Sequence, residues 1–310
     1  MRQLAYFTHS DCRLHDMGPE HPESPQRLAA IEDQLLVSGL ADWLDRRDAP
    51  LLPLELARRA HTDAYLEQLQ RADAQAQGQG LVRLDDDTSM NAHSLTAALR
   101  AAGAAVAAVD AVMAGESQNA FCAIRPPGHH ATREQAMGFC LLNNVAIAAL
   151  HALAKGAQRV AVIDFDVHHG NGTEDILVSH PAVLMLGFYQ HPYYPLGGAQ
   201  FRDTSHLCNV PVPAYTSGDV VRELIVQEWW PRLHAHDPDL ILVSAGFDAH
   251  REDDMAQLGL VEADYAWITN QLKTQTRAGR SAKIVSCLEG GYHLSALGRS
   301  VAAHLKELAI

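Results

Sequence analysis

The stretch VIDFDVHHGNGTEDIL, residues 162–177, reads as an apolar strand that runs into two aspartates and two adjacent histidines and then turns at Gly-Asn-Gly. A strand covered on both faces is a near-continuous apolar run, so ionisable groups belong at its end rather than within it. Asp164, Asp166 and His168 share parity, and an extended backbone would point all three to one side. Two carboxylates and an imidazole on one side suit a divalent cation with mixed oxygen and nitrogen ligands. The competing reading is a polar loop entry in which each residue merely caps a turn.

The same pattern recurs along the chain. Short apolar runs at AFCAI (120–124), RVAVIDF (159–165), AVLMLGF (182–188), LILVSAGF (240–247) and KIVSCLEG (283–290) are bounded by Gly, Pro or charge. Helical segments predicted over Phe139–Ala154, Gly218–His234, Glu262–Arg277 and Leu294–Leu308 separate most of them. Apolar strands alternating with helices predict an α/β fold with a parallel sheet covered on both faces. Toward the N-terminus, a strand is predicted over Leu4–Thr8. A helix follows, with Ser24 as cap, Pro25 in its first turn and its end at Gly39. Another helix starts after His61-Thr62, residues 75–90 read as loop, and Asn91–Met113 as a long, mostly buried helix. No internal repeat or linker interrupts residues 1–310, which predicts one domain.

Ligands of open parallel sheets bind beyond the carboxyl ends of the strands. Four of the predicted strands end in polar, Gly-rich segments: RPPGHH after AFCAI, DFDVHHGNG after RVAVI, FDAH after LILVSAG, and GGYH after KIVSCLE. Parallel strands would bring these ends to one rim. Asp248 would then join Asp166 and His168, and three protein ligands with one open position form the pattern of a catalytic zinc. Such a zinc lowers the pKa of a bound water to about 7 and polarises a carbonyl. His129 and His130, after the rigid Pro126-Pro127-Gly128 turn, could serve as general base and acid. Tyr292, after two glycines, could donate to a developing oxyanion. Taken singly, each of these residues also has a bland reading as a turn or packing residue.

Composition is that of a globular protein, with 47% hydrophobic and 20% charged residues. Five scattered cysteines without a C-x-x-C argue against a disulfide framework and a thiolate metal site, and predict a reducing, cytoplasmic setting. The start of the chain lacks the apolar core expected of a signal peptide, and no segment is expected to reach bilayer-spanning length. A formal charge of −13 argues against nucleic acid and for cationic partners such as Lys-rich segments or polyamines. Nothing in the sequence decides for or against a homo-oligomer.

RPPGHHA, MGFCLLNN, VIDFDVHHGNGTEDI, SAGFDAH and LEGGYH, in this order, closely resemble the zinc-dependent histone deacetylase family, and HPESPQRL fits its class II-like and bacterial branch. The resemblance covers essentially the whole chain. It implies the arginase/deacetylase fold, one α/β domain around a mainly eight-stranded parallel sheet, and hydrolysis of an acyl-amide on a lysine side chain. It further implies Asp166, His168 and Asp248 as zinc ligands, with His129 and His130 beside the reacting water and His130 as general base and acid. Asp164 would partner His129, and Asn171 would partner His130; other branches carry Asp at this last position. Tyr292 would polarise the substrate carbonyl and stabilise the oxyanion. Phe139 and Tyr194 would wall a narrow acyl-lysine channel lined by Gly138, with Tyr194 standing where Phe is commoner. Asp87 would sit at the rim and hold substrate backbone.

Two positions bear on ligands. Polyamine-specific relatives carry Glu seven residues after the last zinc ligand, where this chain has Met255. That favours an acylated lysine in a protein or peptide over a small acylated amine, although Glu252, Asp253 and Asp254 suggest an acidic rim. Relatives also bind potassium through backbone carbonyls, often with a Ser that Gly187 replaces here, so K+ is expected without that hydroxyl. Alternatives are an acetylpolyamine or other small-molecule amidohydrolase, a two-metal ureohydrolase, and a non-catalytic acyl-binding module.

Overall fold

The computed structural model describes residues 4–195, 204–274 and 282–309. Its strands are β1 Leu4–Thr8, β2 Leu44–Asp48, β3 Val82–Arg83, β4 Ser89–Met90, β5 Asn119–Cys122, β6 Val160–Asp164, β7 Val183–Gln190, β8 Leu207–Val212, β9 Leu240–Ala245 and β10 Ile284–Leu288. The helices are α1 Gln26–Val37, α2 Leu54–Ala57, α3 Asp63–Gln79, α4 Ser94–Met113, α5 Asn144–Ala154, α6 Asn171–Leu177, α7 Gly218–Leu224, α8 Trp230–His236, α9 Glu262–Thr274 and α10 Leu294–Ala309.

Eight strands form one sheet in the order β2-β1-β5-β10-β9-β6-β7-β8, and every neighbouring pair is parallel. Residues of β5, β6, β7, β9 and β10 are buried throughout. Parallel strands sandwiched by helices have no solvent face, which is why these runs lack alternation. Helices α4 and α5 pack together over the central strands, while α1, α9 and α10 form a second helical layer.

The sheet order decides where chemistry can occur. The strands that carry the polar segments, β5, β10, β9 and β6, are four adjacent strands at the centre. All four point the same way, so their carboxyl ends converge.

Several elements differ from the sequence expectations. The helix expected from Phe139 begins at Asn144, because Gly138 (φ 55°) and Phe139 (φ 68°) take left-handed backbone that no right-handed helix accepts. Asn143 caps the true start by accepting from the Ala146 amide at 2.9 Å. Ser24 does not cap α1; Pro25 occupies that place without a side-chain bond. Residues 75–90, read as loop, hold the end of α3 and the antiparallel β3–β4 pair. Gly218–His234 is helical but carries a π turn at Ile225–Trp229. Residues 275–277 of the expected Glu262–Arg277 helix lie outside the described residues. Helix α4 does reach the length and apolarity of a membrane span, contrary to expectation, and here most of it is buried inside the protein.

Candidate active site

Strand β6 ends at Asp164, so Asp166 and His168 lie in the loop beyond it. Strand parity therefore does not align these side chains. A chain of hydrogen bonds does: Asp166 N donates to Asp164 Oδ1 (3.1 Å), His168 N to Asp166 Oδ1 (2.8 Å), and Val167 N to Asp248 Oδ1 (2.9 Å). The last of these bonds ties the β6 loop to the loop after β9. A fourth, from Gly290 N to Asp166 Oδ2 (2.9 Å), brings in the loop after β10.

The outcome is a buried cluster in which one donor atom each from Asp166, His168 and Asp248 lies within 4.8 Å of the others. His168 Nδ1 stands 3.0 Å from Asp166 Oδ1 and 3.2 Å from Asp248 Oδ2. Asp248 Oδ2 nevertheless accepts no well-aligned hydrogen bond among the described residues. Burial opposes charge on His168, but the adjacent Asp166 and Asp248 carboxylates outweigh it and push the imidazole to about 10. Asp248 is pushed up to about 6, by burial first and by Asp166 next. Two carboxylates sharing one enclosed space thus draw in positive charge. An orphaned carboxylate oxygen and a hard/borderline O₂N donor set fit a divalent cation such as zinc.

Next to the cluster stand the tandem histidines. The loop that bears them is tied down by Glu289, whose Oε2 accepts from Gly128 N (2.6 Å) and His129 N (3.1 Å) and whose Oε1 accepts from Ser244 Oγ (3.2 Å). His129 Nδ1 faces Asp164 Oδ2 at 3.1 Å, and its Nε2 is 3.7 Å from Asp166 Oδ1. His130 Nδ1 donates to Asn171 Oδ1 at 2.7 Å, which leaves its Nε2 as the lone-pair nitrogen. The two rings are pushed in opposite directions. For His129, burial is outweighed by Asp166 and Asp164, which hold it well above the ordinary imidazole value. For His130, burial and the neighbouring His129 and His168 push it well below. Oppositely shifted neighbours are the arrangement that divides acid from base.

A pocket of about 400 Å³ opens over these groups, within the range of small-ligand sites. His130, His168 and Tyr292 line it together with Phe139, Tyr194 and Met255. Tyr194 meets His130 edge-on at 5.2 Å, and Phe139 meets Tyr292 edge-on at 5.8 Å. Gly138 and Asp87 also line it. Asp87 Oδ1 accepts from Gly138 N (3.0 Å) and Thr88 Oγ1 accepts from Phe139 N (3.0 Å), so these two hold the left-handed turn that carries the Phe139 wall.

Every sequence-predicted site residue reaches this region. Gly187 pairs in register with Asp164, and the space of its missing side chain is taken by Asn209 Oδ1, 2.6 Å from where a Cβ would stand. Of the acidic residues expected at the rim, Glu252 and Asp254 are exposed and Asp253 is not. Asp253 is buried and bonded to backbone amides, and Glu252 pairs with Arg299 at 2.8 Å. His169, without a role in the sequence, bonds Glu174 at 2.9 Å and packs on Tyr189.

Sequence reasoning took Asp253 for a rim residue and missed Glu289, Arg27 and Tyr193, which lines the pocket and stacks on His168 at 5.7 Å. Arg27 donates to the carbonyls of Gly291 (2.7 Å) and Glu289 and lies 5.0 Å from the Tyr292 ring centroid. A signal for Glu289 was present, since it ends an apolar strand as Asp164 does.

An eight-stranded parallel sheet that gathers an Asp-His-Asp cluster, a histidine pair and a tyrosine beyond its central strands defines the arginase/deacetylase class of fold. The chain belongs to the histone deacetylase family, whose domain description, "Histone deacetylase domain", matches residues 21–308. It is 40% identical over 302 residues to an uncharacterised Synechocystis protein, covering 95% of each chain. To the histone deacetylase-like amidohydrolase of Pseudomonas aeruginosa it is 34% identical over 315 residues, covering 94% of this chain and 82% of that one. The crystal structure of the HDA15 HD domain superposes with a TM-score of 0.91 at 32% identity, over 100% of this chain and 90% of that one. The protein is accordingly a hydrolytic enzyme of the deacetylase and amidohydrolase kind.

Proposed function

We propose that this protein is a zinc-dependent deacylase that removes acetyl or other acyl groups from lysine side chains of proteins or peptides. The observation that carries the reading is the buried Asp166, His168 and Asp248 cluster beside His129, His130 and Tyr292, under a pocket walled by aromatic rings. Zinc held by these three residues would supply Lewis-acid activation of the water and of the acyl carbonyl.

The protein's own groups do the rest. Phe139 and Tyr194 hold the apolar lysine stem and exclude water from the reacting amide. His130, oriented by Asn171, takes a proton from the attacking water at Nε2 and returns it to the leaving amine as the C–N bond breaks. His129, paired with Asp164, stays cationic and offsets the negative charge that gathers during attack. Tyr292 O–H donates to the oxyanion; burial holds its proton on far above the ordinary phenol range, so the donor is always armed. Met255, an apolar group at the pocket, supports acyl-lysine over an acylated polyamine, whose second ammonium would seek a carboxylate there. A potassium ion, which backbone carbonyls near β6 would hold, belongs to the same reading, and no step depends on it.

Zinc stripping and restoration with an acetyl-lysine peptide tests the proposal. Turnover should vanish with the metal and return with stoichiometric zinc; unchanged turnover in stripped protein would overturn it. Comparison with acetylspermidine separates the two substrate classes.

A further inference from the structure

We infer that Asp253 is the positioning residue for Tyr292. It is buried, and its Oδ2 accepts from the backbone amides of both Tyr292 (2.6 Å) and His293 (2.9 Å), while its Oδ1 accepts from Met255 N (3.0 Å). One carboxylate therefore fixes the tyrosine at the reacting end of the pocket and the methionine that lines it. Its own backbone is fixed in turn, because Asp253 N donates to His250 O at 2.9 Å, two residues beyond Asp248.

The need for such a clamp is written into the chain before Tyr292. Gly290 and Gly291 precede it, Gly291 at φ 120°, and a Gly-Gly segment alone does not define where the next side chain points. Downstream, His293 sits immediately before α10, and its Nδ1 accepts from Ala296 N at 3.3 Å. The Asp253 carboxylate thus lies at the N-terminal end of a 16-residue helix, where negative charge is favoured. Two amide bonds to one charged oxygen are stronger than neutral bonds and convert a flexible joint into a fixed one. The ring itself is held by Arg27 at 5.0 Å and Phe139 at 5.8 Å, neither of which bonds the Tyr292 hydroxyl. Asp253 consequently sets the backbone from which the hydroxyl is aimed.

This inference rests on the reading of Tyr292 as the oxyanion donor, and a double-mutant cycle separates the two. The zinc-loaded enzyme is assayed with an acetyl-lysine peptide as wild type, Tyr292→Phe, Asp253→Ala, Asp253→Asn and both Asp253 variants combined with Tyr292→Phe. A misplacement of about 1 Å at a reacting group costs roughly 100-fold, so Asp253→Ala should lower kcat by about 10- to 100-fold. Asp253→Asn keeps the shape and one acceptor oxygen, which can still serve the Tyr292 and His293 amides while its NH2 cannot serve Met255 N, and should lower it by roughly 3- to 10-fold. In the Tyr292→Phe background, where no hydroxyl remains to be aimed, each should lower kcat less than about twofold. Zinc content should stay at wild-type level throughout. If Asp253→Ala does not fold, the Asn variant carries the same cycle. Equal losses in both backgrounds, or a normal kcat in the single Asp253 variants, would overturn the inference while leaving the role of Tyr292 intact. Full activity of Tyr292→Phe would instead overturn the oxyanion reading.

Discussion

At Gly290 a single hydrogen atom decides the geometry of the Asp166, His168 and Asp248 cluster. A Cβ there would stand 2.0 Å from Asp248 Oδ2 and 2.6 Å from Asp166 Oδ2, well inside contact distance. Neither carboxylate can retreat freely, because Val167 N holds Asp248 and His168 N holds Asp166. Gly290→Ala should therefore leave a folded protein that binds zinc substoichiometrically, as read by metal analysis alongside circular dichroism; one full zinc per chain would contradict the packing argument. Tyr292→Phe belongs to the same scale. Loss of one oxyanion donor typically costs 10²–10³ in turnover, so kcat on an acetyl-lysine peptide should fall by about that factor with KM little changed. Little change in kcat would remove the tyrosine from the mechanism. Much at this scale was readable in advance, since strand-end Asp, His and Tyr residues are rare enough to be noticed. The role of Asp253 was not, because a carboxylate that serves backbone amides looks in sequence like any acidic loop residue. The alignment of Asp166 and His168 was reached through a strand parity that does not exist; loop hydrogen bonds produce it instead.

Between elements, the interior of the first loops is held by charge. Glu23 is buried and bonds Arg125 through both carboxylate oxygens (2.5 and 2.7 Å) and Arg27 at 3.0 Å. Burial alone would raise Glu23, but Arg125 and Arg27 prevail and lower it to about 2. Arg125 continues to the Cys12 carbonyl and Arg27 to the carbonyls beside Tyr292, so one glutamate joins the N-terminal segment, β5 and the loop after β10. Removing its charge leaves two buried guanidinium groups short of a counterion. Glu23→Gln should destabilise the protein by about 3–5 kcal/mol, measured by urea unfolding; a change under about 1 kcal/mol would mean that the cluster contributes no more than a surface pair. The central strands were legible because they are apolar throughout, and the edges were not. β2 is LDRRD, with alternating exposure on the border of the sheet, and β8 contains Pro211, which an edge strand tolerates and a central one does not. Neither sequence carries the apolar run that marks a buried strand.

Across the whole molecule, stability depends on histidines that folding keeps neutral. Burial lowers His15 and His61 to about 4 and His304 to about 3. His304 lies between Thr269 Oγ1 (2.6 Å) and Ser286 Oγ (2.8 Å), which bond the neutral ring, and His61 spans the Thr132 carbonyl and the Asn143 amide. In the unfolded chain each of these takes up a proton near pH 6.5. Below that value the unfolded state binds protons that the folded state refuses, so stability is full above about pH 6.5 and falls as the pH drops toward 4. Outside the Asp166, His168 and Asp248 cluster and the histidines beside it, Glu289 works the other way. Burial raises Glu289 to about 7, so the folded state gains a proton there that the unfolded carboxylate releases until about pH 4.5. On these four groups, three refusals against one gain leave a net uptake of about two protons on unfolding near pH 5.5, so stability falls as the pH drops through that range. Urea unfolding of the zinc-loaded protein at about pH 7, 6 and 5 should accordingly show the midpoint falling with each step, more steeply between 6 and 5. His304→Gln, which removes one refusing group while keeping a polar side chain between Thr269 and Ser286, should flatten that slope by up to about half. A midpoint independent of pH in this range would mean that these histidines are protonated in the folded protein, against the burial that surrounds them.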